Sequence, residues 1–329
     1  MANRIPGLAL LFPGQGSQAT GMGKELAFNH IVARRTFEEA DAALGYDLSK
    51  LCFEGPDDQL RLTEITQPAI LTVSVAAARV LAEAGIKPSF VAGHSLGEYS
   101  AHVAAGTLAF ADAVRTVRNR GKYMQEAVPV GVGAMAAILV LSIEKIREAC
   151  AEAVTQFPGE VCEPANINSP GQVVISGSKQ AVERAAEICK HKGAKRAVML
   201  PVSAPFHCSL MQPAQDRLAA DLHALAFNDP QIPVLCNFEA APVSDAAKSR
   251  ETLISQVTGT VQWEASIRAL IAQGATRFVE AGPGAVLTGL LRQIDKSHSC
   301  LNVENEATLQ KARSHMLDKA SMVAEPRHA

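Results

Sequence analysis

Three short apolar runs along the chain stop at turns rich in glycine and proline. Residues 8–12 (Leu-Ala-Leu-Leu-Phe) end at Pro13-Gly14, residues 89–92 run into Gly93, and residues 278–280 end at Ala281-Gly282-Pro283-Gly284. Apolar runs of this length, bounded by turn residues, predict buried strands. After the second run, residues 96–105 read as a helix closed by Gly106, because glycine tolerates the left-handed backbone of a helix C-terminal cap. Strands alternating with longer helical stretches predict a parallel sheet with helices on both faces. In such sheets ligands bind beyond the carboxyl ends of the strands, where Gln15 and Ser95 both fall.

The region 133–201 keeps a different rhythm. Residues 134–141 read as a strand, 143–157 as a helix, 161–167 and 172–176 as strands joined through Ser169-Pro170-Gly171. Residues 181–191, apolar at 182, 185, 186 and 189, read as an amphipathic helix, and 196–200 as a closing strand. The order βαββαβ is that of a ferredoxin-like unit. It is expected as a small domain inserted into a larger one made of residues 1–132 and 202–313. Residues 314–329 are polar, carry Pro326 and lack sustained periodicity, so a flexible tail is expected there.

Composition narrows the functional classes. The chain has 329 residues, 48% hydrophobic and 19% charged, enough apolar material for a sizeable core. A formal net charge of −2 provides no global attraction to nucleic acid or anionic membrane, so any charged partner must meet a local patch. The seven cysteines are scattered, odd in number and never spaced as C-x-x-C, which argues against a disulfide framework or a metal site and for reduced thiols in the cytoplasm. The N-terminus has a brief apolar run and no cleavage pattern of a signal peptide. No apolar run is read as reaching the roughly 20 residues that span a bilayer.

Against this plain background one motif carries chemistry. Gly93-His94-Ser95-Leu96-Gly97 fits G-x-S-x-G, which sets a serine on a sharp turn between strand and helix. A serine hydroxyl is a poor nucleophile near neutral pH, so it needs a base, and the oxyanion formed on attack needs preorganised donors. The turn supplies the backbone N–H of Leu96 at the start of the next helix, and Gly14-Gln15-Gly16-Ser17-Gln18 is placed to supply that of Gln15, although such a loop also reads as an ordinary flexible connection. Of nine histidines, those at 30, 191, 223, 298, 315 and 328 lie in polar or terminal surroundings and read as solvated. His102 reads as a packing residue, and His94 as a pocket-lining neighbour, since adjacent residues on a tight turn point apart. His207, on a loop held by Pro201 and Pro205, is the candidate base, with a structural histidine as its alternative.

Six motifs occur in a telling order. They are Leu11-Phe12-Pro13-Gly14-Gln15-Gly16-Ser17, the serine turn, Arg120-Gly121-Lys122-Tyr123-Met124-Gln125, Asn166-Ile167-Asn168-Ser169-Pro170-Gly171-Gln172-Val173, the loop ending at His207, and Glu280-Ala281-Gly282-Pro283-Gly284. In this order the chain resembles the malonyl-CoA:acyl carrier protein transacylases, acyltransferases of fatty-acid synthesis, over roughly residues 5–313. The resemblance implies an α/β-hydrolase-like core with an inserted ferredoxin-like domain and an active site between them. It implies that Ser95 is acylated, that His207 is the general base, and that Gln15 and Leu96 form the oxyanion hole. It matches Arg120 to the arginine that pairs with the malonyl carboxylate, through a planar fork suited to two parallel hydrogen bonds. Gln67, Met124, His94 and Asn168 match pocket positions. Phe206 matches a phenylalanine that accompanies malonyl selection, though Ala204-Pro205 before it depart from the usual signature.

Further expectations follow from the same resemblance. A backbone carbonyl near Val261-Gln262-Trp263, assigned to Gln262, would hold the histidine ring, giving a Ser-His dyad with no catalytic aspartate. Lys195 and Arg196, in the basic run 190–196, would dock the acidic acyl carrier protein, a solvated helix end being the alternative. Malonyl-CoA and phosphopantetheinylated carrier protein are the implied substrates, with no metal or redox cofactor, no nucleic acid or membrane partner, and a monomer. Two rivals remain at this point: a serine thioesterase or esterase, which usually places its histidine near the C-terminus, and a non-catalytic carrier-binding module, which would be expected to have lost Ser95, His207 or Arg120.

Overall fold

The computed structural model describes residues 4–321. Its described strands are β1 (Leu8–Phe12), β2 (Phe90–Gly93), β3 (Gly133–Leu139), β4 (Cys162–Ser169), β5 (Gln172–Ser178), β6 (Arg196–Met199), β7 (Val234–Leu235), β8 (Pro242–Val243), β9 (Arg277–Ala281) and β10 (Cys300–Val303). They form two sheets, one in the order β10-β9-β1-β2-β7-β8 and one in the order β4-β5-β3-β6. The first is parallel except for the β7–β8 pair, and every pair in the second is antiparallel.

All five residues of β1 are buried, as a central strand covered on both faces requires. Because side chains alternate across a strand, Leu8, Leu10 and Phe12 enter one core layer while Ala9 and Leu11 enter another, with Trp263, Ile267, Leu270 and Phe278. The smaller sheet splits in the same way. Ile138 and Ile175 pack under the helices Ile143–Gln156 and Lys179–His191, with Ala149, Val182 and Cys189 among them. Met135, Ala165 and Val174, facing the other way, join the core of the large sheet. One face of the small sheet is thereby pressed onto the region that holds Ser95.

Two expectations are corrected. The helix Thr63–Glu83 is long and apolar enough to cross a bilayer by length and composition, contrary to the reading that no run reached that length, but most of it is buried inside the protein. Its threonines, serine and Pro68 interrupt the apolar letters and hide the run, and Thr72 satisfies its own hydroxyl on the Pro68 carbonyl at 2.8 Å. The second correction concerns the expected tail at 314–329. The chain continues as the helix Glu306–Ser321, with Leu309, Ala312 and Met316 buried at helical spacing, so residues 314–321 are not a tail; the rest of that segment lies outside the described residues. An inward stripe made of one leucine, one alanine and one methionine is too thin to register as amphipathic periodicity.

All seven cysteines are free thiols, six of them buried. Met316→Ala is expected to cost about 2–5 kcal/mol of unfolding free energy, the range for emptying a buried methionine site, measured by urea denaturation.

Candidate active site

The serine turn is a crossing of backbone on backbone. β2 ends at Gly93 and the next helix begins at Gly97, with Ser95 between them at φ 51°, in the left-handed region. A Cβ on Gly93 would overlap the Gly97 carbonyl, and one on Gly97 would overlap the Phe12 carbonyl. Both glycines of G-x-S-x-G are therefore there because the chain touches itself and β1 at those points. A side chain from outside the motif holds the turn. Asn237, just beyond β7, accepts the Ser95 N–H through Oδ1 at 2.6 Å and donates from Nδ2 to the Gly93 carbonyl at 2.7 Å. Nothing in the sequence marked this asparagine except its place after an apolar strand.

His207 reaches the serine from the loop that follows β6. Its Nε2 lies 2.6 Å from Ser95 Oγ, and its Nδ1–H donates to the Gln256 carbonyl at 2.9 Å. A carbonyl can only accept, so the ring proton sits on Nδ1 and the Nε2 lone pair faces the hydroxyl. Burial first, and the nearby Arg120 charge second, push the ring's pKa down to about 3, so the ring is neutral and free to accept a proton. The expectation that Gln262 holds the ring is corrected. The Gln262 carbonyl instead accepts from Ser266, opening the helix Trp263–Ala272, and its N–H donates to Asn237. Gln256 stands at the C-terminal cap of the helix Ala246–Ser255, where carbonyls have no helical partner and are free for another donor.

Arg120 completes the cluster. Its side chain is 1% exposed. Nη1 donates to Gln67 Oε1 at 2.8 Å, and Nη2 donates to Gln256 Oε1 at 3.0 Å and to Ser95 Oγ at 3.2 Å. Nε has no hydrogen-bond partner among the described residues, and the guanidinium lies 5.7 Å from the Tyr99 ring centre. Gly121 explains how Gln67 comes so near. The helices Phe110–Glu126 and Thr63–Glu83 cross so closely there that a Cβ would strike the Thr63 carbonyl. Gln67 also faces Met124, its Nε2 lying 3.9 Å from the sulfur. A buried guanidinium with an unused N–H edge is a receptor for a carboxylate.

From the small sheet, Asn168 on β4 accepts at Oδ1 from His94 Nε2 at 2.8 Å, and the His94 ring lies 5.5 Å from that of Trp263. His94 thus joins the two sheets. Phe206, buried beside His207, packs into the large core. The Gln15 and Leu96 N–H groups have no hydrogen-bond acceptor among the described residues. Such free N–H groups beside a nucleophile are what an oxyanion needs. Gly14 lies against the His94 carbonyl, so the loop bearing Gln15 is pressed onto the serine turn.

The chain matches the acyl transferase domain over residues 9–323. The malonyl CoA-acyl carrier protein transacylase of Salmonella typhimurium is 50% identical over 92% of this chain and 98% of that relative. The crystal structure of an acyl carrier protein S-malonyltransferase from Vibrio cholerae superposes with a TM-score of 0.90 and 49% identity, covering 93% of this chain and 99% of the other. A malonyl-transacylase solved in complex with a type II polyketide synthase acyl-carrier protein superposes with a TM-score of 0.91 and 47% identity, covering 94% and 99%. This chain belongs to the malonyl-CoA:acyl carrier protein transacylases.

In this transacylase the Glu280-Ala281-Gly282-Pro283-Gly284 motif supports the structure around the site. The Glu280 carboxylate accepts the N–H groups of Leu287 at 3.0 Å and Thr288 at 2.8 Å, starting the helix Val286–Ile294, while Gly282 leaves room for Pro13 of the Gln15 loop. Lys195 and Arg196 are not brought to the serine. Arg196 pairs with Leu139 at one end of β3, whereas Gly133 at the other end abuts Pro205 of the His207 loop; at about 3.3 Å per residue these ends are roughly 20 Å apart.

Stability should follow the buried histidines. Burial also pushes His102 down to about 3, and neither of its ring nitrogens has a partner among the described residues. Between pH 6.5 and about 3 the unfolded chain binds protons at His102 and His207 that the folded chain refuses, so their contribution to stability is full above pH 6.5 and is lost as the pH drops through that window, while the buried Glu98 carboxyl, lifted to about 7, works in the opposite sense. The change in urea midpoint from pH 7.5 to pH 4.5 should therefore be less destabilising in His102→Leu than in the wild type.

Proposed function

We propose that Ser95 carries the malonyl group as an ester, in a ping-pong transfer from coenzyme A to the phosphopantetheine thiol of acyl carrier protein. The observation that carries this reading is Arg120: a buried guanidinium within hydrogen-bond reach of the Ser95 oxygen, with its Nε–H unpartnered among the described residues. An acyl group short enough to be attacked by Ser95 and long enough to end in a carboxylate on Arg120 is a malonyl group.

In the first half-reaction His207 Nε2 takes the Ser95 hydroxyl proton as Oγ attacks the thioester carbonyl. The oxyanion rests on the Gln15 and Leu96 N–H groups, and the Gln256 carbonyl stabilises the imidazolium through Nδ1–H. Collapse breaks the C–S bond, and the proton on Nε2 goes to the departing coenzyme A thiolate. In the second half-reaction the carrier thiol gives its proton to His207 and attacks the ester, and the proton returns to Ser95 Oγ as that oxygen leaves. Each step moves one proton and one acyl group, which these side chains supply without a metal or redox cofactor. Support for malonyl over methylmalonyl comes from the resemblance at Phe206, a bulky residue next to His207 in the chain.

The architecture is read as an α/β-hydrolase-like core with a ferredoxin-like insertion. The order β4-β5-β3-β6 with alternating helices supports the second part, and the serine turn after β2 supports the first. A thioesterase is disfavoured, since a buried cation facing the acyl group serves no neutral acyl chain. The seven free thiols fit a cytoplasmic enzyme. Lys195 and Arg196 are kept as the docking patch for the acidic carrier, whose flexible phosphopantetheine arm separates the docking surface from the reacting thiol.

Two experiments test the reading. Intact-protein mass spectrometry after exposure to malonyl-CoA should reveal a malonyl adduct on the wild type and none on Ser95→Ala; an equal adduct on the variant removes Ser95 from the mechanism. Arg120→Ala should lose about 2–5 kcal/mol of malonyl-transfer efficiency, at least ~30-fold in kcat/KM, with acetyl transfer far less affected. Equal losses for both acyl groups would make Arg120 structural.

A further inference from the structure

Behind Arg120 lies a carboxylate that the mechanism does not use. Glu98, in the first turn of the helix after Ser95, is fully buried. Its Oε2 accepts from Gln256 Nε2 at 2.6 Å and from the Asn237 N–H at 3.0 Å, and its Oε1 has no hydrogen-bond partner among the described residues. Gln256 Oε1 in turn accepts from Arg120 Nη2 at 3.0 Å. A single amide therefore links the substrate-facing cation to a buried anion, bridging them with one end turned to each.

The other ionisable groups near Glu98 are few. Arg120 faces it from the helix Phe110–Glu126, Cys236 from the end of β7, and Tyr99 and His102 share its own helix. Burial holds Cys236 and Tyr99 protonated and His102 neutral, so Arg120 is the cation that balances Glu98. A malonyl carboxylate docked on Arg120 puts two anions against one cation in a site with little water. Like charges so placed raise each other's proton affinity. We propose that Glu98 takes up a proton when a malonyl group docks on Arg120, so that malonyl loading is proton-linked and acetyl loading is not. Glu98 then acts as a positioning residue, working through Gln256 and Arg120 without touching the substrate. The inference rests on the reading of Arg120 as the partner of the malonyl carboxylate.

Burial, opposed by the bonds from Asn237 and Gln256 and by Arg120, already lifts the Glu98 carboxyl to about 7, which places the exchange near neutral pH. Below that pH Glu98 holds its proton before malonyl arrives, and loading takes up none. Above it, uptake approaches one proton per malonyl group, and the malonyl loading equilibrium weakens by up to about tenfold per pH unit.

The test is the equilibrium fraction of acylated wild-type enzyme at fixed ratios of malonyl-CoA to coenzyme A, and of acetyl-CoA to coenzyme A, read by intact-protein mass spectrometry from pH 6 to pH 9. Ionisation of the coenzyme A thiol and of His207 affects both acyl groups, so the ratio of malonyl to acetyl loading constants isolates the carboxylate. That ratio should be level below pH 7 and fall by up to about tenfold per unit above it. In Glu98→Gln, which keeps the shape and removes the charge, the ratio should be level throughout. A level ratio in the wild type, or the same fall in Glu98→Gln, overturns the proposal; if that variant does not fold, the wild-type ratio alone decides. Arg120→Ala separates the two readings. A malonyl preference at pH 6 that survives in Arg120→Ala defeats the assignment of Arg120, whereas a preference lost there together with a level wild-type ratio defeats only the role of Glu98.

Discussion

A guanidinium held away from water is the constraint on which this active site depends. Burial disfavours the charge on Arg120, and among the described residues no carboxylate lies within ion-pairing distance of it. The charge is instead spread over neutral oxygens of Gln67, Gln256 and Ser95 and over the Tyr99 ring. Solvation by amide dipoles is incomplete compensation for lost water, so Arg120 is suited to take an anion, which in the proposed function is the malonyl carboxylate. The same charge reaches His207, where it adds to burial in keeping the ring neutral. In the proposed function, selection of the acyl group and readiness of the base share one physical source.

Ser95 and His207 are also alike in backbone conformation. Ser95 at φ 51° and His207 at φ 60° both occupy the left-handed region, which costs an ordinary residue of order 1 kcal/mol or more and persists only where the surroundings enforce it. For Ser95 the enforcement comes from Asn237, whose amide satisfies a donor and an acceptor of the turn at once. For His207 the ring is pinned at both nitrogens, by Ser95 and by the Gln256 carbonyl. Gln256 is the residue most shared within the site. Its backbone sets the tautomer of the base, and its side chain joins Arg120, Glu98 and the Ser95 carbonyl. In the proposed transfer, a neutral carbonyl in the place of a carboxylate leaves the imidazolium less stabilised, which suits a base that must return its proton within each half-reaction.

Much of this was legible in the amino-acid order, because some features are local. The apolar run 8–12, the alternating elements of 133–201 and the glycines around Ser95 each report on a few consecutive residues, and the structure places strands and helices there with edges shifted by a residue or two. Ser95, Gln15, Arg120, Met124 and His207 were readable as motif members, whereas Gln67 was reached only through the resemblance. The C-terminal helix was missed because its inward stripe is thin, and the helix Thr63–Glu83 because polar letters satisfied within the helix break its apolar run.

What escaped the sequence is of another kind. Asn237, Gln256 and Glu98 have no local signature. An asparagine becomes a fastener for the serine turn only because β7 pairs with β2, and a glutamine becomes the holder of the histidine only because a helix ends there with its carbonyl unspent. The carbonyl that holds the ring lies six residues before Gln262, a shift that no local pattern reveals. The order of residues by itself determined which chemical groups are present and which short segments bend, extend or coil, since those depend on nearest neighbours. Only the tertiary structure decided which groups meet, because hydrogen-bond partners and the exclusion of water depend on distances set by packing, between residues 25 to 161 positions apart in the chain.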